Sequence, residues 1–188
     1  MDRLDYLKRD SFFTGVSEGI ISSDRILAML TVVNDSLAIE AKGIYSIEKF
    51  IIARRLMYWQ VYLHKTVLSA EHLLVNILSR AKELTAKGHQ LFATPALQLL
   101  LQNNYTLQDF IKHDKVLDAF AELDDNDIYA SIEVWMSNND RILSFLCRCL
   151  MNRNLFKVEL QNENFSSEKI SELKNKARKK YELSEEDR

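Results

Sequence analysis

Turn-forming residues are nearly absent from this chain, and that limits its fold more than any other feature. Average usage of about 7% Gly and 5% Pro would put roughly 22 such residues in a chain this long. The 188 residues contain four Gly and one Pro. An all-β sandwich or barrel needs a marked turn roughly every 8–12 residues, so such architectures are excluded. Hydrophobic residues make up 47% of the chain, enough to build a core and too many for disorder. The expected fold class is mainly α: a helical globular unit of one-domain size with one or two short β-hairpins or strands.

Periodicity places the elements. Residues 2–13 read as a short helix, with Asp2, Tyr6, Arg9 and Asp10 within about 100° of arc and Leu4 and Leu7 on the other side. Gly15 and Gly19 open a loop. Ser23 or Asp24 is expected to cap a short helix running to Leu30. Around Asn34-Asp35-Ser36, the alternation in 31–34 and 37–41 predicts a hairpin, which Lys42-Gly43 ends. Residues 46–87 continue the helical pattern without Gly or Pro. A straight helix of that length would outreach a domain of this size, so a bend is expected at His64-Lys65-Thr66-Val67. Its first half, over 46–62, is apolar almost all round and is expected to be the buried centre of the fold. Its second half carries a stripe of Ala70, Leu73, Leu74, Ile77, Leu78, Ala81 and Leu84, with Gly88 as the C-terminal stop.

Shorter helices follow. Thr94-Pro95 starts one that runs to Gln102, and Thr106 with Asp109 forms a capping box for the next. Asp124 to Asp127 starts one through Trp135, and Asp140 one through Met151. Residues 154–160 are expected to form a strand. Residues 166–181 read as a Lys- and Glu-rich helix with a thin stripe of Ile170, Leu173 and Ala177, ahead of the charged tail LSEEDR. No repeat is evident.

Several function classes fall away on composition. With 25 Lys+Arg against 27 Asp+Glu, the net charge is −2, so no global basic field favours nucleic acid. No segment is apolar enough for a membrane span or a signal peptide. Cys147 and Cys149 point about 200° apart on a helix and cannot pair locally, which fits a reducing compartment; the expected location is the cytoplasm. The four histidines, His64, His72, His89 and His113, show no zinc spacing. The dipeptide His113-Asp114 sits in a polar helix end. Asp124-Asp125-Asn126-Asp127 lacks the Gly and terminal Glu of a calcium loop, and helix capping explains it better. The basic run 174–180 reads as a solvated face. No Walker loop, GxGxxG or GxSxG occurs.

Two constellations carry more. The carboxylates, phenol and cations of the first ten residues could hold a metal, a phosphate and a sugar hydroxyl together, or they could be a solvated face with i,i+4 charge pairs. Arg54 lies at the centre of a stripe of Ile47, Phe50, Ile51, Tyr58 and Val61. A guanidinium there must meet a carboxylate, a phosphate or a water-filled cleft. Tyr62 stands two turns further on, about 80° round.

These residues resemble a known family. Residues 1–11, MDRLDYLKRDS, followed by Thr14-Gly15-Val16, are similar to the D-(R/K)-x-D-Y-x-x-R-D segment of HD-domain phosphohydrolases, above all the deoxynucleoside triphosphate triphosphohydrolases. Arg54 with Tyr62-Leu63-His64-Lys65 resembles that family's R-x7-Y-x-H-K segment. Two further matches are 123–128, LDDNDI, and 153–157, RNLFK. The resemblance covers residues 1–157 as the C-terminal part of an HD-type domain and leaves 158–188 as a charged helical segment.

What the resemblance implies is a parent enzyme that hydrolyses a nucleotide or related phosphate ester with a divalent metal, as a homo-oligomer away from membranes and nucleic acid. Asp2 would be a metal ligand, and Arg3 (where the family often has Lys) and Arg54 would contact phosphates. Tyr6 and Asp10 would hold the sugar hydroxyl, and Tyr62 would pack on the sugar face. His64 and Lys65 would serve a neighbouring subunit or a second nucleotide site. The family's His and His-Asp ligands precede the first matched segment, so this chain is expected to resemble a fragment that binds no metal and is inactive alone. The competing expectation is a non-catalytic helical interaction or regulatory module, because residues 70–188 carry no catalytic motif.

Overall fold

A computed structural model describes residues 2–181; the tail LSEEDR lies outside them. The protein is 70% helical, with ten α-helices and one two-stranded antiparallel hairpin among the described residues. It divides into two units, one ending at Leu68 and one starting at Ser69.

In the first unit, helix α1 (Asp2–Thr14) opens with Asp2 and Asp5 in its first turn, where carboxylates suit the helix dipole. Leu7 is fully buried and forms a small core with Ile21, Ala53 and Met57. A 3₁₀ turn, Ser17–Gly19, packs on α1. A Cβ on Gly19 would sit 2.7 Å from the Ser11 Cβ, so the close approach there requires glycine. Helix α2 (Ser23–Ala28) is shorter than expected. Ser23 and Asp24 lie inside it, Ser22 at the cap makes no side-chain bond, and Leu30 already belongs to a strand.

Strands β1 (Leu30–Val33) and β2 (Ser36–Ile39) pair as expected, with Leu30 opposite Ile39 and Val33 opposite Ser36. Their two-residue turn has positive φ at both Asn34 (50°) and Asp35 (58°). That is the type I′ geometry whose twist suits a hairpin, and Asn and Asp tolerate it best among residues with a side chain.

Helix α3 (Ile44–Met57) runs into a π-helical turn, Tyr58–Tyr62, in which the Leu63 N–H donates to the Tyr58 carbonyl at 2.8 Å. The chain breaks at Leu63-His64, and helix α4 (Lys65–Ala86) begins. The expected bend is therefore real. The His64 Nδ1 accepts from the Thr66 N–H at 3.3 Å, so this side chain caps the new helix. One expectation fails here: the 46–62 helix is not a buried centre. Only Ala53 and Met57 of α3 are buried, whereas Ile51 is 59% and Trp59 61% exposed. The first unit covers one face of this helix, and no described element of that unit covers the other.

The second unit is built on the amphipathic stripe of α4. Leu73, Ile77, Ala81 and Leu84 form one buried cluster with residues of helices α5 (Pro95–Gln102), α8 (Asp125–Trp135) and α9 (Arg141–Met151). Gly88, at φ 87°, ends α4. The His89 N–H reaches back to the Leu84 carbonyl and the Gly88 N–H to that of Thr85, both at 3.0 Å, a paired closure that the left-handed glycine permits. The Trp135 indole donates to the Phe92 carbonyl at 2.8 Å. Thr106 and Asp109 form the expected capping box on helix α6 (Leu107–Lys112), which helix α7 (Asp114–Glu122) follows. Asp124 and Asp127 form another on α8.

Residues 154–160 do not form the expected strand. A strand needs a partner for its backbone groups, and the described strands pair only with each other. Helix α10 (Ser167–Tyr181) follows, with no buried residue. Cys147 and Cys149 are buried free thiols of the α9 core, and burial pushes Cys147 up to about 12.

Candidate functional site

The first unit gathers four of the residues singled out in the sequence. Tyr6 and Asp10 stand one helical turn apart on α1, Arg54 comes from α3, and Tyr62 comes from the π turn. The Tyr62 hydroxyl donates to Asp10 Oδ2 at 2.6 Å. Burial, and then the Asp10 carboxylate, hold that phenol's pKa well above its ordinary value. The Tyr6 and Tyr62 rings meet edge to face with centroids 6.2 Å apart. The π turn helps to set this geometry. Its wider turn rotates each residue less than an α-helix would, which draws Tyr62 back towards the line of Arg54 and Tyr58.

Tyr58 belongs to the same cluster. Its ring lies 5.1 Å from that of Tyr62 and 5.2 Å from the Arg54 guanidinium carbon, centroid to atom in the latter case. In the sequence, Tyr58 reads as part of an apolar stripe. The signal available was its position midway between Arg54 and Tyr62, four residues from each.

Arg54 is the unusual member. The Tyr6 hydroxyl holds its pKa above the ordinary value; burial opposes this, and Tyr58 adds to it. Its Nε is buried with no hydrogen-bond partner. No carboxylate among the described residues forms an ion pair with it. Phenols accept hydrogen bonds but do not neutralise a guanidinium while protonated, so its charge stays available to an anion. The neighbouring Arg55 differs: it is exposed and stacks on Trp59, 4.8 Å from the ring centroid.

The other nominated residues are not gathered in. Asp2 and Arg3 are exposed at the start of α1. Arg9 pairs with Asp5 one turn earlier on the same helix, the charge pairing that a solvated face predicts. Among the described residues, no group of three or more His, Cys, Asp or Glu could hold a metal ion. Asp2 is thus a single exposed carboxylate, and the residues present do not fit a metal site. A cleft of about 680 Å³, lined by Lys8, Phe12, Ile20 and others, opens elsewhere along α1 and involves none of Tyr6, Arg54 or Tyr62.

Comparison with known proteins shows what the chain is similar to. Residues 21–104 match the family model described as the HD associated region. That stretch contains the hairpin, α3, the π turn and α4, hence Arg54, Tyr58 and Tyr62. Together with the structural likeness to a phosphohydrolase, this supports an HD-domain family for the chain.

The individual relatives are longer. A crystal structure of a phosphohydrolase from Bacteroides thetaiotaomicron matches 97% of this chain with a TM-score of 0.90 and 50% identity, over 45% of its own length. The uncharacterized protein YwfO of Bacillus subtilis is 37% identical over 164 residues, which is 87% of this chain and 36% of that protein. A deoxynucleoside triphosphate triphosphohydrolase SAMHD1 homologue from Dictyostelium discoideum is 28% identical over 91 residues, 48% of this chain and 18% of that protein. The chain thus spans less than half the length of each of these relatives.

Proposed function

We propose that this chain is the substrate-holding part of a metal-dependent HD-type phosphohydrolase whose substrate is a nucleotide, deoxynucleoside triphosphate-like, or a related phosphate ester. The observation that carries this reading is the state of Arg54. A partly buried guanidinium with an unpartnered Nε, held between two phenols, has its charge uncompensated. A phosphate supplies what is missing: opposite charge and oxygens matched to the guanidinium fork. The Tyr62–Asp10 bond leaves the carboxylate's other oxygen free of any bond among the described residues, and a sugar hydroxyl can donate to it. The edge-packed rings of Tyr6, Tyr58 and Tyr62 provide the apolar wall that a sugar needs,.

In such enzymes the metal activates water and polarises the phosphate. The residues described here do not complete a site for it, so this chain's part is to bind and orient. The isolated chain is expected to bind a nucleotide without turning it over. The test is calorimetric titration of the 188-residue chain with dATP, alongside an assay for its hydrolysis with Mg²⁺ or Mn²⁺. Arg54→Ala should weaken binding about tenfold or more, the loss expected for charge-assisted hydrogen bonds, and Arg55→Ala should leave it unchanged. Equal effects from both would overturn the assignment. So would turnover that survives repurification and disappears in Asp2→Ala.

A second reading, a helical interaction module without catalysis, draws on the exposed apolar face of α3. It predicts no saturable nucleotide binding at all.

A further inference from the structure

The second unit carries a groove of a different character from the Arg54 cluster. It lies between α9 and α10, has a volume of about 490 Å³, and is walled by Ile142, Phe145, Leu146, Phe156, Ala177 and Tyr181. The aromatic walls are engaged with one another: Phe145 lies 5.3 Å from Tyr181 and 6.3 Å from Phe156, centroid to centroid. The apolar stripe of α10 continues away from the groove through Leu173 and Ile170, which are 55% and 43% exposed.

The rim is cationic. Arg141 and Arg148 border the groove, and α10 carries six Lys or Arg against two Glu in the segment SEKISELKNKARKKY. Lys169 pairs with Glu159 and Lys176 with Glu172, while Lys174 and Lys180 flank the stripe of Ala177 and Tyr181, one on each side.

From this charge complementarity we infer that the α9–α10 groove docks an acidic amphipathic helix of a partner protein. The proposal is independent of the nucleotide reading. Apolar side chains at i, i+3, i+4 and i+7 would enter between Phe145 and Ala177, and the partner's carboxylates would face Arg141 and the lysines of α10. α9, at about 16 Å long, accommodates roughly three turns of such a helix. An apolar floor with its rings already packed on each other favours aliphatic anchors over stacked bases, so a peptide fits better than a nucleic acid.

The test uses the full chain and two fluorescein-labelled synthetic peptides in an anisotropy titration. One has Leu at i, i+3, i+4 and i+7 with Glu at the solvent-facing positions; the other has Lys in place of Glu. The acidic peptide should bind saturably and more weakly as salt rises. Arg141→Glu, at the first turn of α9 where a carboxylate suits the helix dipole, should weaken it about fivefold without unfolding the protein. Ala177→Arg keeps the rim positive while filling the groove, and should abolish binding. Absence of binding, equal binding of the lysine peptide, or indifference to Ala177→Arg would overturn the proposal. Stoichiometric displacement of the acidic peptide by single-stranded oligothymidine would overturn it in favour of a nucleic-acid surface.

Discussion

At Asp10, the oxygen bonded by Tyr62 shows how one side chain's chemistry is set by another 52 residues away. The phenol donates at 2.6 Å and ionises only above its ordinary pKa of 10.0, because of burial and then the adjacent carboxylate. A folded-state pKa raised in this way stabilises the fold below the unfolded value and loses that contribution as pH rises through the folded one. Tyr62→Phe should therefore cost about 1–2 kcal/mol at neutral pH, measured by urea denaturation. It should also leave unchanged the number of phenols that titrate near pH 10 in the native protein, whereas loss of a normally titrating tyrosine would lower that number by one. The sequence named Tyr6, Asp10, Arg54 and Tyr62 as candidates, but it did not show that Arg54 meets phenols rather than a carboxylate. Which groups surround a guanidinium is decided by the segments that pack on its helix.

At the scale of elements, local chemistry was readable wherever the partners lie within one turn. The capping box at Thr106, the Asp124 cap and the Gly88 stop satisfy backbone groups within a few residues and form as read, and the hairpin read around Asn34-Asp35-Ser36 turns on the first two of these residues. Asp140 adds a longer link. It caps α9 by accepting from the Leu143 N–H at 2.7 Å and also holds Arg80 of α4, at 2.7 Å from Nη2. The two side chains are only 17% and 10% exposed. Asp140→Ala removes the cap and takes the nearer carboxylate from Arg80, which keeps Glu83 at 3.4 Å, so a loss of about 2–3 kcal/mol is expected. Thermal and urea unfolding of the variant check this, and a loss under about 1 kcal/mol would mean that the pair is no more than an exposed one. The missing strand at 154–160 teaches the opposite lesson. A run of alternating residues has strand propensity, but without a neighbouring edge it has nowhere to place its hydrogen bonds.

For the molecule as a whole, the outward face of α3 is a surface that the first unit leaves uncovered. Ile44, Tyr45, Ile51, Ile52 and Trp59 are all more than half exposed, on a face they share with the exposed Glu48 and Arg55, and exposed apolar groups of this kind mark interaction surfaces. The matching phosphohydrolase structure contains the same fold within a chain more than twice as long. The isolated 188-residue chain is expected to self-associate through this face at micromolar concentrations, with Ile51→Lys and Ile52→Lys together restoring a monomer. Sedimentation velocity over a concentration series checks this, and an unchanged sedimentation coefficient across the series would count against it.

The sequence by itself determined the helical class, the positions of most helix ends, the hairpin and its turn, and the break between α3 and α4. Each of these depends on short-range steric and hydrogen-bonding rules that operate within a few residues. Tertiary structure alone decided three other things: that α3 is covered on one face only, that Tyr58 joins Tyr6, Arg54 and Tyr62, and that Asp140 is shared between a helix cap and Arg80. Periodicity shows which side chains can be buried together, but burial itself requires a second surface. For Arg54, that surface comes from residues more than forty positions away, and only folding brings them to it.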